Sequence, residues 1–269
     1  MPQPVHGEEK KEKKLLIFDL DGTLLTTDKR ITGRTLAALE KARTAGYLLG
    51  FSTSRGMSNI EKYTDMVRPD VIIASSGALV TAWSRVIYRN SLSADEVNDI
   101  IRLSKEIVGP DCKITVDTED DHFKNYPDEN PFFGNTWEGD IYTDFSDWDS
   151  EGLKLCVRIL DEDKARALGE KLPHCDFVRF TDEYWYKITN KGITKASAIE
   201  KICSATGVNR EDITAFGDDL VDLGMLKLCG TGSAMGNAFS EVKENADLVI
   251  SSNDEDGIAE YIENFLLKE

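Results

Sequence analysis

The chain has 269 residues, 41% of them hydrophobic and 30% charged, and its 49 acidic against 32 basic residues give a formal charge of −17. That profile belongs to one large or two ordinary globular domains, and the negative field opposes nucleic acid and anionic membrane as partners. No apolar run nears the roughly 20 residues of a membrane-spanning helix, and neither a signal peptide nor a transit peptide is visible, so a cytoplasmic location is expected.

Residues 1–13 are polar and rich in Glu and Lys, the composition of a disordered tail. Lys14-Leu-Leu-Ile-Phe-Asp19 reads as a buried strand that ends in an acid and the turn residues Asp21 and Gly22. Thr32 can cap a helix carrying Leu36, Leu39 and Ala42 on one side, which Gly46 stops. A second strand spans Tyr47 to Ser52 and a short helix Asn59 to Met66. A third strand, Val71 to Ala74, leads into Ser75-Ser76-Gly77. This alternation predicts a parallel sheet with crossover helices.

From 91 to 186 the rhythm breaks. Three of the four tryptophans (Trp137, Trp148, Trp185) and most of the prolines lie here, with an acidic, aromatic stretch from Asp117 to Asp149. An inserted α+β domain accounts for this, leaving 14–90 and 187–269 to the first domain. The earlier rhythm then returns. A helix carries Ile193, Ala196, Ile199 and Ile202 and closes at Gly207, and a strand covers Asp212 to Phe216. A helix with Leu220, Leu223 and Leu226, a strand at Leu248 to Ile250 and a final helix with Ile258, Tyr261, Ile262, Phe265 and Leu266 follow.

Cys112, Cys156, Cys175, Cys203 and Cys229 are scattered without a CxxC pair, which predicts free thiols and no metal site among them. His6, His122 and His174 also sit apart, with no metal-binding spacing.

Ligands of open parallel sheets sit beyond the carboxyl ends of the strands, and four segments put reactive residues there. In Asp19-Leu20-Asp21-Gly22-Thr23 one carboxylate can attack phosphorus while the other handles the leaving group's proton. In Ser52-Thr53-Ser54-Arg55 a hydroxyl and a following amide can bind phosphate oxygens. Lys195, near a helix start, supplies the positive charge that a phosphate beside Asp19 needs. Gly217-Asp218-Asp219-Leu220-Val221-Asp222 offers the hard oxygen ligands that suit Mg2+.

The first segment, within LLIFDLDGTLL from Leu15 to Leu25, closely resembles the signature of the haloacid dehalogenase superfamily, and the set as a whole resembles its Cof-type phosphatases. Gly192-Ile-Thr-Lys195 is similar to the family's Gly-Val-Ser-Lys; Ala234-Met-Gly-Asn-Ala238 and Asn253-Asp-Glu-Asp-Gly257 follow the same pattern. The resemblance implies an α/β fold with a Rossmann-like parallel-sheet core and an inserted α+β cap domain of type IIB. It implies Asp19 as nucleophile and Asp21 as general acid/base. Leu20, Thr53, Ser54 and Lys195 would bind the substrate phosphate. Asp19, the Asp21 carbonyl and Asp218 would hold Mg2+, with Asp222 in support. Two departures stand out: Ser54 replaces the family's Gly, and Val221 replaces an Asn that contacts phosphate, so one polar contact is expected to be lost.

The reaction so implied is hydrolysis of a small phosphorylated metabolite through an aspartyl-phosphate, by a monomer or homodimer. A sugar phosphate is the default substrate, with flavin or pyridoxal phosphates as further options. A phosphomutase, betrayed by a bisphosphate requirement, and a silent phospho-ligand sensor are the rivals. A metal-free dehalogenase would lack Asp21. The insert should act as a lid. Its aromatics (Tyr126, Phe132, Phe133, Trp137, Tyr142, Trp148, Trp185) are expected in the insert's own core, with stacking on a ligand as the alternative.

Overall fold

The computed structural model describes residues 13–127, 140–181 and 184–267. Phe132, Phe133, Trp137 and all of the expected tail except Lys13 lie outside them.

The chain opens with β1 (Lys14–Phe18), α1 (Gly33–Thr44), β2 (Tyr47–Ser52), α2 (Glu61–Val67), β3 (Val71–Ala74), β4 (Leu79–Ala82) and β5 (Arg85–Arg89). The insert contributes α3 (Ala94–Ile107), β6 (Ile114–Asp117), β7 (His122–Lys124), β8 (Asp140–Tyr142), β9 (Lys154–Arg158), α4 (Glu162–Lys171), β10 (Cys175–Arg179) and β11 (Trp185–Asn190). The closing segment holds α5 (Lys195–Thr206), β12 (Ile213–Gly217), α6 (Leu223–Leu228), β13 (Thr231–Ala234), α7 (Ser240–Asn245), β14 (Leu248–Val249) and α8 (Gly257–Tyr261).

The larger sheet has the order β14-β13-β12-β1-β2-β3-β4-β5. Its first six strands are parallel, with β1 between β12 and β2. Leu15, Leu16, Ile17 and Phe18 are fully buried, because a central parallel strand is covered on both faces. Each such side chain contributes about 1.5–3 kcal/mol relative to exposure. Two groups of helices supply the cover: α1 packs on β2 and α8, and α5 and α6 pack together, α5 also on β3 and β4. Thr32 caps α1 by accepting from the Thr35 amide, and Thr194 caps α5 through a reciprocal pair with Ser197.

The sheet is mixed where a parallel one was expected. β4 runs antiparallel to β3, and β5 antiparallel to β4. The two-residue loop between them, Trp83-Ser84, holds both residues at positive φ (49° and 60°). That twist suits a tight hairpin, but it is normally signalled by Asn-Gly or Asp-Gly, which this loop lacks.

The smaller sheet has the order β10-β11-β9-β6-β7-β8 and is antiparallel except between β7 and β8. Val97, Ile100 and Ile101 of α3 and Ala165 and Leu168 of α4 cover one face, packing on Ile114, Val116, Leu155, Val157 and Ile188. The other face carries Thr115, Asp117, His122, Lys124, Lys154, Cys156, Lys187 and Thr189, which alternate with those apolar residues along the strands. β11 stays in this sheet through Asn190, so the return crossing follows Asn190 rather than 186. The two crossings touch: Asn190 Nδ2 donates to Asn90 Oδ1 at 2.8 Å and to the Ser91 carbonyl at 2.9 Å.

Trp148 and Phe145 join the insert's core, packing edge-on to each other, and Trp148 also meets Phe123. Tyr126 and Trp185 instead contact one another at 5.6 Å, and Tyr142 is exposed. Phe265, expected on the inner face of the last helix, is also exposed. The five cysteines are free thiols, and no described helix is long and apolar enough to cross a membrane.

Candidate active site

Asp19 lies one residue past β1, with its amide still bonded to the Phe216 carbonyl at 3.0 Å. The chain then turns back. The Leu20 carbonyl accepts from the amides of Thr23 (3.3 Å) and Leu25 (2.8 Å), and the Asp19 carbonyl accepts from Leu24. Gly22 has φ +81°, and a Cβ built on it would fall 2.3 Å from Asp218 Oδ2. Glycine is thus required for both the turn and the close approach of Asp218.

Lys195 is the first residue of α5 and is buried. Its ammonium donates to Asp19 Oδ1 and to Asp222 Oδ1, each at 2.6 Å. Burial works against the charged form, but the two carboxylates outweigh it and raise the lysine above its ordinary pKa. Asp222 Oδ2 accepts from the amides of Asp218 and Asp219 at 3.2 Å, so one of its oxygens holds Lys195 and the other the loop after β12.

Asp218 Oδ1 accepts from Thr23 Oγ1 at 2.6 Å. Burial, opposed by this bond and reinforced by Asp222, raises the Asp218 carboxyl to about 7. Asp19 is also raised well above the usual range, by burial first and then by its acidic neighbours, against the pull of Lys195. Carboxylate oxygens of Asp19, Asp218 and Asp222 lie within 4.8 Å of one another. Among the described residues no hydrogen bond reaches Asp19 Oδ2 or Asp218 Oδ2. Hard oxygens with free lone pairs, crowded until their pKa values rise, fit a divalent cation such as Mg2+.

Asp21 faces away from this cluster into two cations. Arg55 Nε and Nη2 bond Oδ2 and Oδ1 at 2.7 Å each, and Lys29 Nζ bonds Oδ1 at 2.7 Å. Burial would raise Asp21, but Arg55 and then Lys29 bring it down to about 2. The sequence reading assigned no partner to Asp21. A cation at a neighbouring strand end, next to a motif with two acids, is a usable signal for Arg55; none pointed to Lys29 or Thr23.

Thr53 and Ser54 follow β2. Thr53 Oγ1 accepts from the Arg55 amide at 3.1 Å, and Ser54 Oγ accepts from Ser76 Oγ at 2.9 Å. Neither bonds the acid cluster directly. Val221, at the position of the family's Asn, donates its amide to Asp219 Oδ1 at 3.1 Å.

The insert's polar face closes over these loops. Lys154 Nζ donates to the Ser54 carbonyl at 2.5 Å and pairs with Asp117 Oδ2 at 2.9 Å. Asp117, fully buried, also accepts from Ser75 Oγ at 2.8 Å and meets His122 Nδ1 at 2.6 Å. Thr181 Oγ1 donates to Asp219 at 2.6 Å, and Asn59 to Asp140 at 3.3 Å.

A family model described as haloacid dehalogenase-like hydrolase matches residues 16–262. The 5-amino-6-(5-phospho-D-ribitylamino)uracil phosphatase YitU of Bacillus subtilis is 30% identical, over 93% of this chain and 97% of its own length. The HMP-PP phosphatase of Yersinia pseudotuberculosis is 27% identical, over 94% and 95%. Among solved structures, the HAD subclass IIB sugar phosphatase BT4131 superposes with a TM-score of 0.81 at 27% identity, covering 95% of this chain and all of that one.

Proposed function

The chain belongs to the haloacid dehalogenase-like hydrolases and is a phosphoric monoester hydrolase, and from that premise we propose that it cleaves the phosphate ester of a small sugar or sugar alcohol in two steps at Asp19. In the first step an Asp19 carboxylate oxygen attacks phosphorus, the bond to the leaving oxygen breaks, and Asp21 protonates that oxygen. In the second, Asp21 takes a proton from water as it attacks the aspartyl-phosphate, releasing phosphate and restoring Asp19. Both steps require Asp21 to loosen at least one of its bonds to Arg55 and Lys29. Lys195 holds Asp19 in place and neutralises charge on the phosphoryl oxygens, with Asp222 fixing the lysine. Thr53 and the amides of Leu20 and Ser54 complete the phosphate cradle. Asp19 and Asp218, with the Asp21 carbonyl, would hold Mg2+, which supplies further charge neutralisation when bound.

One observation carries this reading: the Lys195 ammonium lies 2.6 Å from Asp19, although 176 positions separate them. The substrate class is supported by the names of the relatives, one a phosphoribityl-compound phosphatase and one a sugar phosphatase. The test is turnover of p-nitrophenyl phosphate and a panel of sugar and polyol phosphates with Mg2+, compared with Asp19→Asn and with EDTA. Loss of activity in both comparisons is expected. Substantial turnover by a folded Asp19→Asn protein refutes the nucleophile, and full activity in chelator refutes the metal.

A further inference from the structure

The polar face of the insert holds three buried lysines, and they are not equivalent. Lys154 pairs with Asp117 at 2.9 Å, and Lys124 with Asp140 at 2.7 Å. Lys187 is only 5% exposed, yet among the described residues no hydrogen bond or ion pair is made by its ammonium. The ammonium nitrogen is not fully enclosed, so water or a molecule from outside the fold can meet it. Two residues along the same face, Thr189 carries a buried hydroxyl that also has no partner.

Lys187 is also close to the chemistry. It lies opposite Cys156 in the ladder between β11 and β9, and Cys156 is two residues from Lys154 on the same face. Such diagonal neighbours stand about 7–8 Å apart at the backbone. Lys154 in turn touches the carbonyl of Ser54, in the loop that carries Thr53. Burial first, then the charges of Lys154 and Lys195, hold the Lys187 ammonium down to about 8, so it senses the lysine that grips Asp19. The aromatic pair of Tyr126 and Trp185 lies beside it, Trp185 being two residues back on the same strand face.

We propose that Lys187 is a specificity-determining residue that binds a second anionic group, a carboxylate or a second phosphate, on the leaving portion of the substrate. This rests on the phosphatase reading above and narrows it: the preferred ester is that of a sugar acid or a sugar bisphosphate rather than of a neutral sugar. Asp117 and Asp140 are committed to the other two lysines, and Asp176 on the neighbouring strand accepts from the Gly192 amide at 2.7 Å, so among the described residues no carboxylate pairs directly with the Lys187 ammonium.

The experiment compares kcat/KM for 6-phosphogluconate, fructose 1,6-bisphosphate and the neutral sorbitol 6-phosphate, with p-nitrophenyl phosphate as a measure of hydrolysis itself. The wild-type protein should prefer one or both dianionic-chain substrates over sorbitol 6-phosphate by tenfold or more. Lys187→Met should bring that ratio to within about threefold of unity, chiefly through KM, and Lys187→Arg should keep most of it, as expected for a bond to a charged group. The carboxylate and bisphosphate arms separate the two sources of charge. A wild-type ratio near or below one, or a ratio unchanged in Lys187→Met, overturns the proposal. Absence of p-nitrophenyl phosphate turnover strikes instead at the catalytic reading. Calorimetric binding of the three sugar phosphates to Asp19→Asn, with and without Lys187→Met, then gives the same comparison without turnover, and equal affinities overturn the role of Lys187.

Discussion

Arg55 grips both carboxylate oxygens of Asp21 in a two-pronged contact, 2.7 Å on each side, and is itself almost wholly buried. A planar fork of this kind is geometrically specific and charge-assisted. With Lys29 on the same carboxylate, it keeps the proposed acid/base group ionised at rest, so these contacts must loosen before Asp21 can carry the proton that the first step delivers.

Replacing one of those cations should therefore move the pH profile. Lys29→Met removes a partner from Asp21, so the carboxyl climbs from about 2, and the acidic limb of kcat/KM for p-nitrophenyl phosphate moves to higher pH. Arg55→Met should move it further. An acidic limb that stays put in both variants shows that Asp21 does not control it.

Stability should respond to pH in two opposed ways. Asp21 and Asp117 are depressed in the fold, so their contribution is present above their unfolded pKa of about 3.9 and is lost as pH falls through their folded values. Asp19 and Asp218 are raised, so the folded state holds more protons than the unfolded one, and metal-free stability declines as pH rises from about 4 through 7. Thermal melts in chelator should show a maximum on the acidic side of neutrality. Asp218→Asn should flatten its alkaline slope, and an unchanged slope refutes the assignment.

Mg2+ should raise the melting temperature by mass action, with about 2.7 kcal/mol of added stability at a hundred times its Kd. The effect should be largest near neutral pH, where the carboxylates are free to bind the ion, and should vanish in Asp218→Asn. A variant that responds to Mg2+ as the wild type does places the ion elsewhere.

Asp222 should matter to folding as well as to rate. Asp222→Ala leaves the buried Lys195 with one carboxylate and two amides of the β12 loop without their acceptor. A loss of about 3–5 kcal/mol, as for breaking a buried charge pair, is expected in urea melts. A loss below about 1 kcal/mol would mean that the loop relaxes at little cost.

Gly22→Ala should be severe for so small a change. It meets both an unfavourable φ of +81° and the Asp218 carboxylate at 2.3 Å. Turnover of p-nitrophenyl phosphate should fall by at least about tenfold, because the metal-side acid must shift. Wild-type rates in this variant would show that Asp218 can move without consequence.

The parallel core was legible because its signals are local. An unbroken apolar run such as Leu15 to Phe18, a cap such as Thr32 and a stop such as Gly46 each act within a few residues. The meeting of Asp19, Lys195, Asp218 and Asp222 followed from strand order and family likeness together. The hairpin of β4 and β5 was missed because Trp83 and Ser84 adopt positive φ without the usual turn residues. The partners of Asp21 were missed for a different reason: they come from side-chain reach, Lys29 across a loop and Arg55 from the next strand end, which no periodicity encodes.

Asn90 and Asn190 stand side by side, so a hundred residues of chain leave the core and come back to nearly the same point. Because the two crossings adjoin, the parent sheet can close whatever the length of the segment spliced in at that doorway. Selectivity can consequently evolve by exchanging or resculpting the spliced module, while the hydrolytic machinery beneath it is inherited intact.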